Sequence, residues 1–145
     1  MVNSATIIAD VLWYLRDFLA SNISDPITRP SGERFVMTSY PSRAVTYPII
    51  TIKDMNSEDE GMLGFQSEAA KHYITMEIRV WARNVKERDQ ISDEIYQELK
   101  DNQIGTTGTS QAFDLHGLKL LSRININEDK IKSKVFQIQF LFIAT

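Results

Sequence analysis

The fold of this chain follows from one stretch, His72-Tyr-Ile-Thr-Met-Glu-Ile-Arg-Val-Trp-Ala-Arg83, in which two classes of side chain alternate. The even-numbered positions after His72 carry apolar residues: Ile74, Met76, Ile78, Val80 and Ala82. The odd-numbered positions carry polar or aromatic residues: Tyr73, Thr75, Glu77, Arg79, Trp81 and Arg83. A period of two over this length predicts a long β-strand with one buried face.

The segments on either side of this strand predict its neighbours. Upstream, Tyr47-Pro-Ile-Ile-Thr-Ile-Lys53 predicts a second strand, with Pro48 at its start, where a missing N–H is tolerated. Downstream, Asn84 and Glu87 form a capping-box-like pair that predicts a helix over residues 85–101. That helix has a narrow apolar stripe, formed by Ile91, Ile95 and Leu99. The stripe predicts a helix that covers one sheet face and keeps most of its surface in water.

The two ends of the chain predict one more helix and a hairpin. Residues 5–20 predict an amphipathic helix whose stripe follows the i, i+3, i+4, i+7 pattern. The stripe contains Ile7, Ile8, Val11, Leu12, Leu15, Phe18 and Leu19. Strands are expected near residues 117–127 and 132–143. The last strand is apolar on both faces, which is typical of a central strand or of one covered by a partner.

In the first strand of that hairpin, Leu118, Leu120, Ile124 and Ile126 share one parity. We therefore expect them on one face of the sheet. We expect both helices to pack on the same face of a mostly antiparallel sheet of four to five strands. The predicted fold is α+β, in a single domain spanning residues 1–145.

Two long connections separate the predicted elements. Residues 21–46 hold three of the four prolines, so they should be irregular apart from a short strand within residues 34–38. Residues 54–70 are acidic at the start and apolar in the middle, at Met62, Leu63 and Phe65. A solvated hairpin tip does not require three such side chains. We therefore expect this segment to be a partner-docking loop.

Composition excludes several classes of protein. The 145 residues include no cysteine, which rules out disulfides and cysteine-ligated metals. The net charge of −3 argues against nucleic acid as the main partner. No apolar run approaches the roughly 20 residues of a membrane span, and the N-terminus lacks the basic start of a signal peptide.

Motifs for catalysis, cofactors and metals do not emerge. Asp54-x-Asn56-x-Glu58 begins like a calcium loop, but the glycine arrives only at position 61. Gly108-Thr-Ser-Gln-Ala112 lacks the final glycine of a nucleophile elbow. His72 and His116, the two histidines, do not have metal-ligand spacing. We expect no cofactor and no metal, and we do not expect an enzyme.

The order of these elements resembles the tail terminator proteins of long-tailed bacteriophages, also called tail completion or tail-to-head joining proteins. Four segments carry the resemblance: residues 47–52, residues 74–82, the helix from Asn84 to Asp101, and the last strand from Phe136 to Ile143. The resemblance implies a structural virion protein at the head-proximal end of the tail, assembled in the host cytoplasm. Such proteins form a ring, typically a homohexamer, on the end of the tail tube.

The resemblance further implies the partners. A ring of this family stops polymerisation of the tail tube protein and presents a surface to the head-neck, or stopper, protein. DNA passes through its lumen without specific binding, which a mildly acidic chain suits. Two other interpretations are a different neck or head-completion ring protein of a tailed phage, and a non-viral α/β binding module.

A ring subunit must bury a second surface against its neighbour. Aromatic and apolar side chains on the strand faces opposite the predicted core are the candidates, because such side chains often anchor interfaces. These candidate interface residues are Tyr73, Trp81, Val135, Leu141 and Ile143. The alternative is that the two helices cover different faces of the sheet and bury these side chains within one subunit.

Overall fold

Two helices and five strands make up the described chain. The structure, a computed structural model, describes residues 7–42, 45–61, 70–101, 115–128 and 130–144. The elements in chain order are α1 (Ile7–Asn22), β1 (Val36–Met37), β2 (Ile49–Gly61), β3 (Ala70–Ala82), α2 (Val85–Asp101), β4 (Leu115–Asn127) and β5 (Lys132–Ala144). The strands form one sheet in the order β1-β2-β3-β5-β4. β1 is parallel to β2 and the other pairs are antiparallel, so the predicted α+β fold is confirmed.

β3 is the central strand, and its alternation separates a buried face from a partly covered one. All five even-numbered apolar residues from Ile74 to Ala82 are fully buried. Ile78 lies between Ile52 of β2 and Phe136 of β5 in the sheet register, and both of these neighbours are also fully buried. β5 pairs with a strand on each side, as its two apolar faces predicted.

Both helices pack on the same face of the sheet. Their buried stripes join one apolar cluster with the buried residues of β3: Val11, Leu15 and Leu19 from α1, and Ile91, Ile95 and Leu99 from α2. Full burial of each such side chain contributes about 1.5–3 kcal/mol. The prediction that the helices share a face is therefore confirmed, and the other face of the sheet carries no helix within the described chain.

The start of α2 follows the predicted capping pair with one difference. The Asn84 Oδ1 accepts a hydrogen bond from the backbone N–H of Glu87 at 2.9 Å. The Glu87 carboxylate accepts from the backbone N–H of Arg83 at 3.1 Å and from its guanidinium at 2.6 Å. The carboxylate thus reaches one residue further back than in a capping box. The bond to Asn84 satisfies a donor that the first turn leaves free.

A β-bulge in β4 overturns the prediction that its apolar residues share one face. Leu120 pairs with Ile138, but the next paired residue is Ser122 opposite Gln137. The extra residue shifts the parity, since each residue along a strand alternates faces. Leu120 packs against the core under the helices. Ile124 pairs with Val135 on the opposite face and is 52% exposed.

The prediction of a loop over residues 54–70 is wrong for the first half of that segment. β2 continues to Gly61 and β3 begins at Ala70, with a bulge between Asp54 and Asn56. Polar residues with low strand propensity suggested a loop, but backbone pairing with the long β3 overrides that preference. The three proposed docking residues, Met62, Leu63 and Phe65, lie outside the described residues.

Arg29 holds together the irregular segment between α1 and β2. Its buried guanidinium pairs with Asp25 at 2.6 Å and donates to the backbone carbonyls of Thr46 and Pro48. The same group lies 5.0 Å from the ring of Phe35, whose carbonyl accepts from the N–H of Ile50. These contacts position the short predicted strand, β1, beside β2.

Candidate subunit interface

The face of the sheet opposite the helices is the candidate interface. The register places residues from four strands on it: Thr51 and Lys53 of β2, Tyr73 to Trp81 at odd positions of β3, Ser133 to Leu141 at odd positions of β5, and Ser122, Ile124 and Ile126 of β4. Of the predicted interface residues, Tyr73, Trp81, Val135 and Leu141 therefore share one face. Ile143 shares their register through its pairing with Lys71, and its side chain lies outside the described part.

An aromatic and cationic cluster occupies the end of this face where β3 meets α2. The Arg79 guanidinium lies 3.7 Å from the centre of the Trp81 ring. The centre of the Tyr40 ring lies 4.9 Å from the centre of the Trp81 ring, and the two ring planes are tilted relative to each other. The Trp81 indole N–H donates to Thr51 Oγ1 at 2.9 Å. Trp81 is thus held by its own chain, and it is Tyr40, 48% exposed, that extends the cluster into solvent.

Arg79 is the incompletely satisfied member of this cluster. Its guanidinium is 3.4 Å from Ser133 Oγ and 3.7 Å from a carboxylate oxygen of Glu128, both long contacts. Its Nε is buried and has no hydrogen-bond partner in the described chain. A buried donor without a partner costs about 1–3 kcal/mol.

A polar band crosses the middle of the same face. Glu77 pairs with Gln137, and Thr75 pairs with Gln139, each half-buried. Lys53, opposite Glu77 on β2, is exposed. The face therefore combines a polar centre with apolar ends. The overall mixture of polar and apolar side chains is that of a contact formed after folding, whereas obligate interfaces are more apolar.

The apolar end of the face lies around Tyr73 and Leu141, which pair directly across β3 and β5. Both side chains are half-buried. Val135 is only 6% exposed, so little of its surface remains for a partner. Ile124, its neighbour on the outer strand, is exposed and was not among the predicted interface residues. The alternation of the sequence placed Ile124 on the same face as Leu120, but the bulge at Leu121 moves Ile124 to this face.

Titratable groups in the described chain form ion pairs and caps. Hydrogen bonding from Arg88 and from Lys134 lowers the pKa of Asp89 and ties α2 to β5. Burial, reinforced by the hydrogen bond with Tyr40, raises the pKa of Tyr47 to about 12. Among the described residues, His, Asp and Glu side chains do not gather in groups of three that could hold a metal ion.

Two clefts flank the irregular segment. One, of about 300 Å³, is lined by Asp17, Arg34 and Phe35, and the other, of about 280 Å³, by Arg29, Pro41 and Ile49. In the first, the Asp17 carboxylate is already paired with Arg16 at 2.9 Å.

Neither helix of the described chain is long and apolar enough to cross a membrane.

The fold is similar to that of a known virion component. A chain in a solved structure described as "Virion of native gene transfer agent (GTA) particle" superposes with a TM-score of 0.53 at 11% sequence identity. The match covers 76% of this chain and 79% of that chain. No family model and no curated protein matches the sequence. At this identity the likeness concerns the fold.

Proposed function

We propose that this chain is a structural protein of a phage-like virion and acts as a tail terminator. Copies of it form a ring, a homohexamer by analogy with that family, at the head-proximal end of the tail. The ring caps the tail tube, ends its polymerisation and provides the joint to the head-neck protein. DNA passes through the lumen without specific binding.

The observation that carries the proposal is a fold shared over most of both chains with a virion component, in which one whole sheet face lacks a helical cover within the described chain. On that face Tyr40 and Ile124 are about half exposed. A neighbouring subunit seated on this face would bury both side chains.

We assign the subunit contact to Tyr73, Trp81, Val135, Leu141 and Ile143, as the sequence suggested. The geometry favours Tyr73 and Leu141 as its apolar anchors, because both retain exposed surface and lie side by side. We assign tube or neck docking to Met62, Leu63 and Phe65, between the ends of β2 and β3.

The test is assembly on tails. Purified protein should run as a ring by native mass spectrometry and negative-stain microscopy, and should cap tail tubes at one end so that added tube protein no longer lengthens them. A protein that stays monomeric, or leaves tube growth unchanged, contradicts the proposal. Binding to the neck end of heads without capping tubes would favour the alternative family, a head-completion ring protein.

The docking residues need their own variant. Replacing Met62, Leu63 and Phe65 with serine should preserve the ring and abolish tube capping. A triple serine replacement within α2, at exposed Lys86, Gln90 and Gln97, is the matched control and should retain both properties. Capping by the loop variant at the parent level would refute the docking role.

A further inference from the structure

The sheet has two open edges, and they differ in charge. β1 pairs only with Ile50 and Thr51, so no described strand covers the outer edge of β2 from Ile52 to Gly61. β4 is the last strand on the other side, and its outer edge is open along Leu115–Asn127 within the described chain. Unpaired N–H and C=O groups on such edges readily accept another strand.

The two edges carry opposite charges. The open part of β2 carries four acidic residues and one lysine: Lys53, Asp54, Glu58, Asp59 and Glu60. β4 carries two basic residues, Lys119 and Arg123, and no acidic one. Pairing β2 with β2, or β4 with β4, would place like charges together, which is destabilising in a sheet. Pairing β4 with β2 places opposite charges together.

Each open edge also exposes an apolar side chain at a bulge. Met55 stands at the irregularity between Asp54 and Asn56 in β2 and is 46% exposed. Leu121 stands at the bulge of β4 and is 42% exposed. Bulges and charged residues on an edge normally discourage pairing, but these two bulges carry apolar side chains. An apolar residue there favours contact with another chain.

Strand direction permits the same pairing. β2 is antiparallel to β3, β3 to β5, and β5 to β4, so β4 runs opposite to β2 in the sheet. A second copy placed beside the first in the same orientation therefore brings its β2 antiparallel to β4. Because different surfaces of each copy meet, the contact is head-to-tail, and it closes into a ring when the rotation between copies allows.

We infer that the β4 edge of one subunit pairs with the β2 edge of the next subunit, so that the sheets of neighbouring copies continue into one another around the ring. This inference rests on the proposed ring function and identifies a contact that is separate from the Tyr73–Leu141 face. The occupant of each edge is a second copy of this chain.

The test uses two charge-reversed proteins. Variant A carries Lys119→Glu and Arg123→Glu on β4, and variant B carries Asp54→Lys and Glu58→Lys on β2. Each variant alone places like charges across the contact. The assembled fraction of each, measured by native mass spectrometry at low ionic strength, should therefore be at least ten-fold below that of the parent. Mixed in equal amounts, A and B should reassemble with alternating copies, because each acidic edge then meets a basic one.

The controls isolate the edge contact from changes in net charge and in folding. Lys86→Glu with Lys100→Glu makes the same net charge change as variant A on exposed positions of α2, and should assemble like the parent. Circular dichroism spectra of monomeric A and B should match the parent, which excludes misfolding as the cause. Variant A should melt slightly lower, because Arg123→Glu removes the contact of the guanidinium with the Tyr96 ring of α2 at 4.4 Å. Raising the salt concentration should weaken the parent ring, because exposed charges are screened.

The outcomes distinguish the two proposals. A parent protein that never assembles, even on tubes, defeats the ring function and this contact together. A parent ring with A and B assembling normally defeats only the edge contact. If the mixture of A and B stops at a heterodimer, β2 pairs with β2 or β4 with β4, and the inferred β4–β2 contact is overturned. A ring of A that forms normally but no longer binds tubes would overturn it as well, because the edge would then belong to a tube strand.

Discussion

Replacing Ile78 gives the sharpest test of which sheet face is the core. Ile78 is fully buried on the central strand, flanked in the sheet by Ile52 and Phe136, on the face against which both helices pack. Truncating a buried isoleucine to alanine costs about 2–5 kcal/mol, depending on how far the surroundings relax. A site between two paired strands has little freedom to collapse, so we expect about 3–4 kcal/mol for Ile78→Ala.

For a chain of this length, 1 kcal/mol lowers Tm by roughly 2–4 °C. Ile78→Ala should therefore melt roughly 6–16 °C below the parent. Ile78→Asp buries an unpaired carboxylate and should cost several kcal/mol more, a large share of a typical stability of about 5–15 kcal/mol. Thermal and urea unfolding should be measured at concentrations where the chain is monomeric, since assembly raises apparent stability.

Thr75→Asp is the matched control. It introduces the same side chain in the same strand, on the face without helices, where Thr75 is half-buried. We expect a loss of about 1 kcal/mol or less, from lower strand propensity. If Ile78→Asp melts like the parent, or if Thr75→Asp costs as much as Ile78→Asp, the assignment of the two faces is wrong.

Three further predictions follow from single contacts. Glu87→Gln should lower Tm at neutral pH, because the hydrogen bond from Arg83 lowers the pKa of Glu87 in the folded protein. A carboxylate with a lowered folded-state pKa stabilises the fold at pH values above its unfolded pKa, so the Tm difference between variant and parent should vanish as pH falls through the folded pKa. A Tm difference that does not change with pH would contradict this. Arg29→Lys should speed protease cleavage within residues 24–48, since lysine cannot reach the three acceptors together; unchanged cleavage would show that different contacts hold the segment. Leu141→Ser should weaken the ring while the monomer melts like the parent. A variant ring as stable as the parent ring by native mass spectrometry would contradict the assignment of this face to the subunit contact.

Local patterns predicted the central elements well. The alternation from Ile74 to Ala82 matches β3, and the bounds expected for α2 match Val85–Asp101. Both succeed because the signal lies in consecutive residues: period two for a strand, and a capping pair followed by a narrow stripe for the helix. The pairing partners of these residues did not need to be known.

The candidate interface was only partly predictable. Parity placed Tyr73, Trp81 and Leu141 on one face, as the sheet register also does. It could not reveal that Tyr40, far from Trp81 in the chain, packs at a tilt against that indole, or that Arg79 lies over it. These contacts depend on how the segment between α1 and β2 folds back over β2, which Arg29 organises through backbone carbonyls distant in sequence.

The sequence by itself determined which residues of β3 are core and where α2 begins and ends, because one-dimensional periodicity records the side of an element that avoids water. The tertiary structure alone decided that β2 continues through Asp54–Gly61, and that a bulge near Leu121 turns Ile124 toward the opposite face. The physical reason is that strand extension, register and bulges are set by hydrogen bonds with a neighbouring strand. Those bonds join residues far apart in the chain, and no local pattern encodes them.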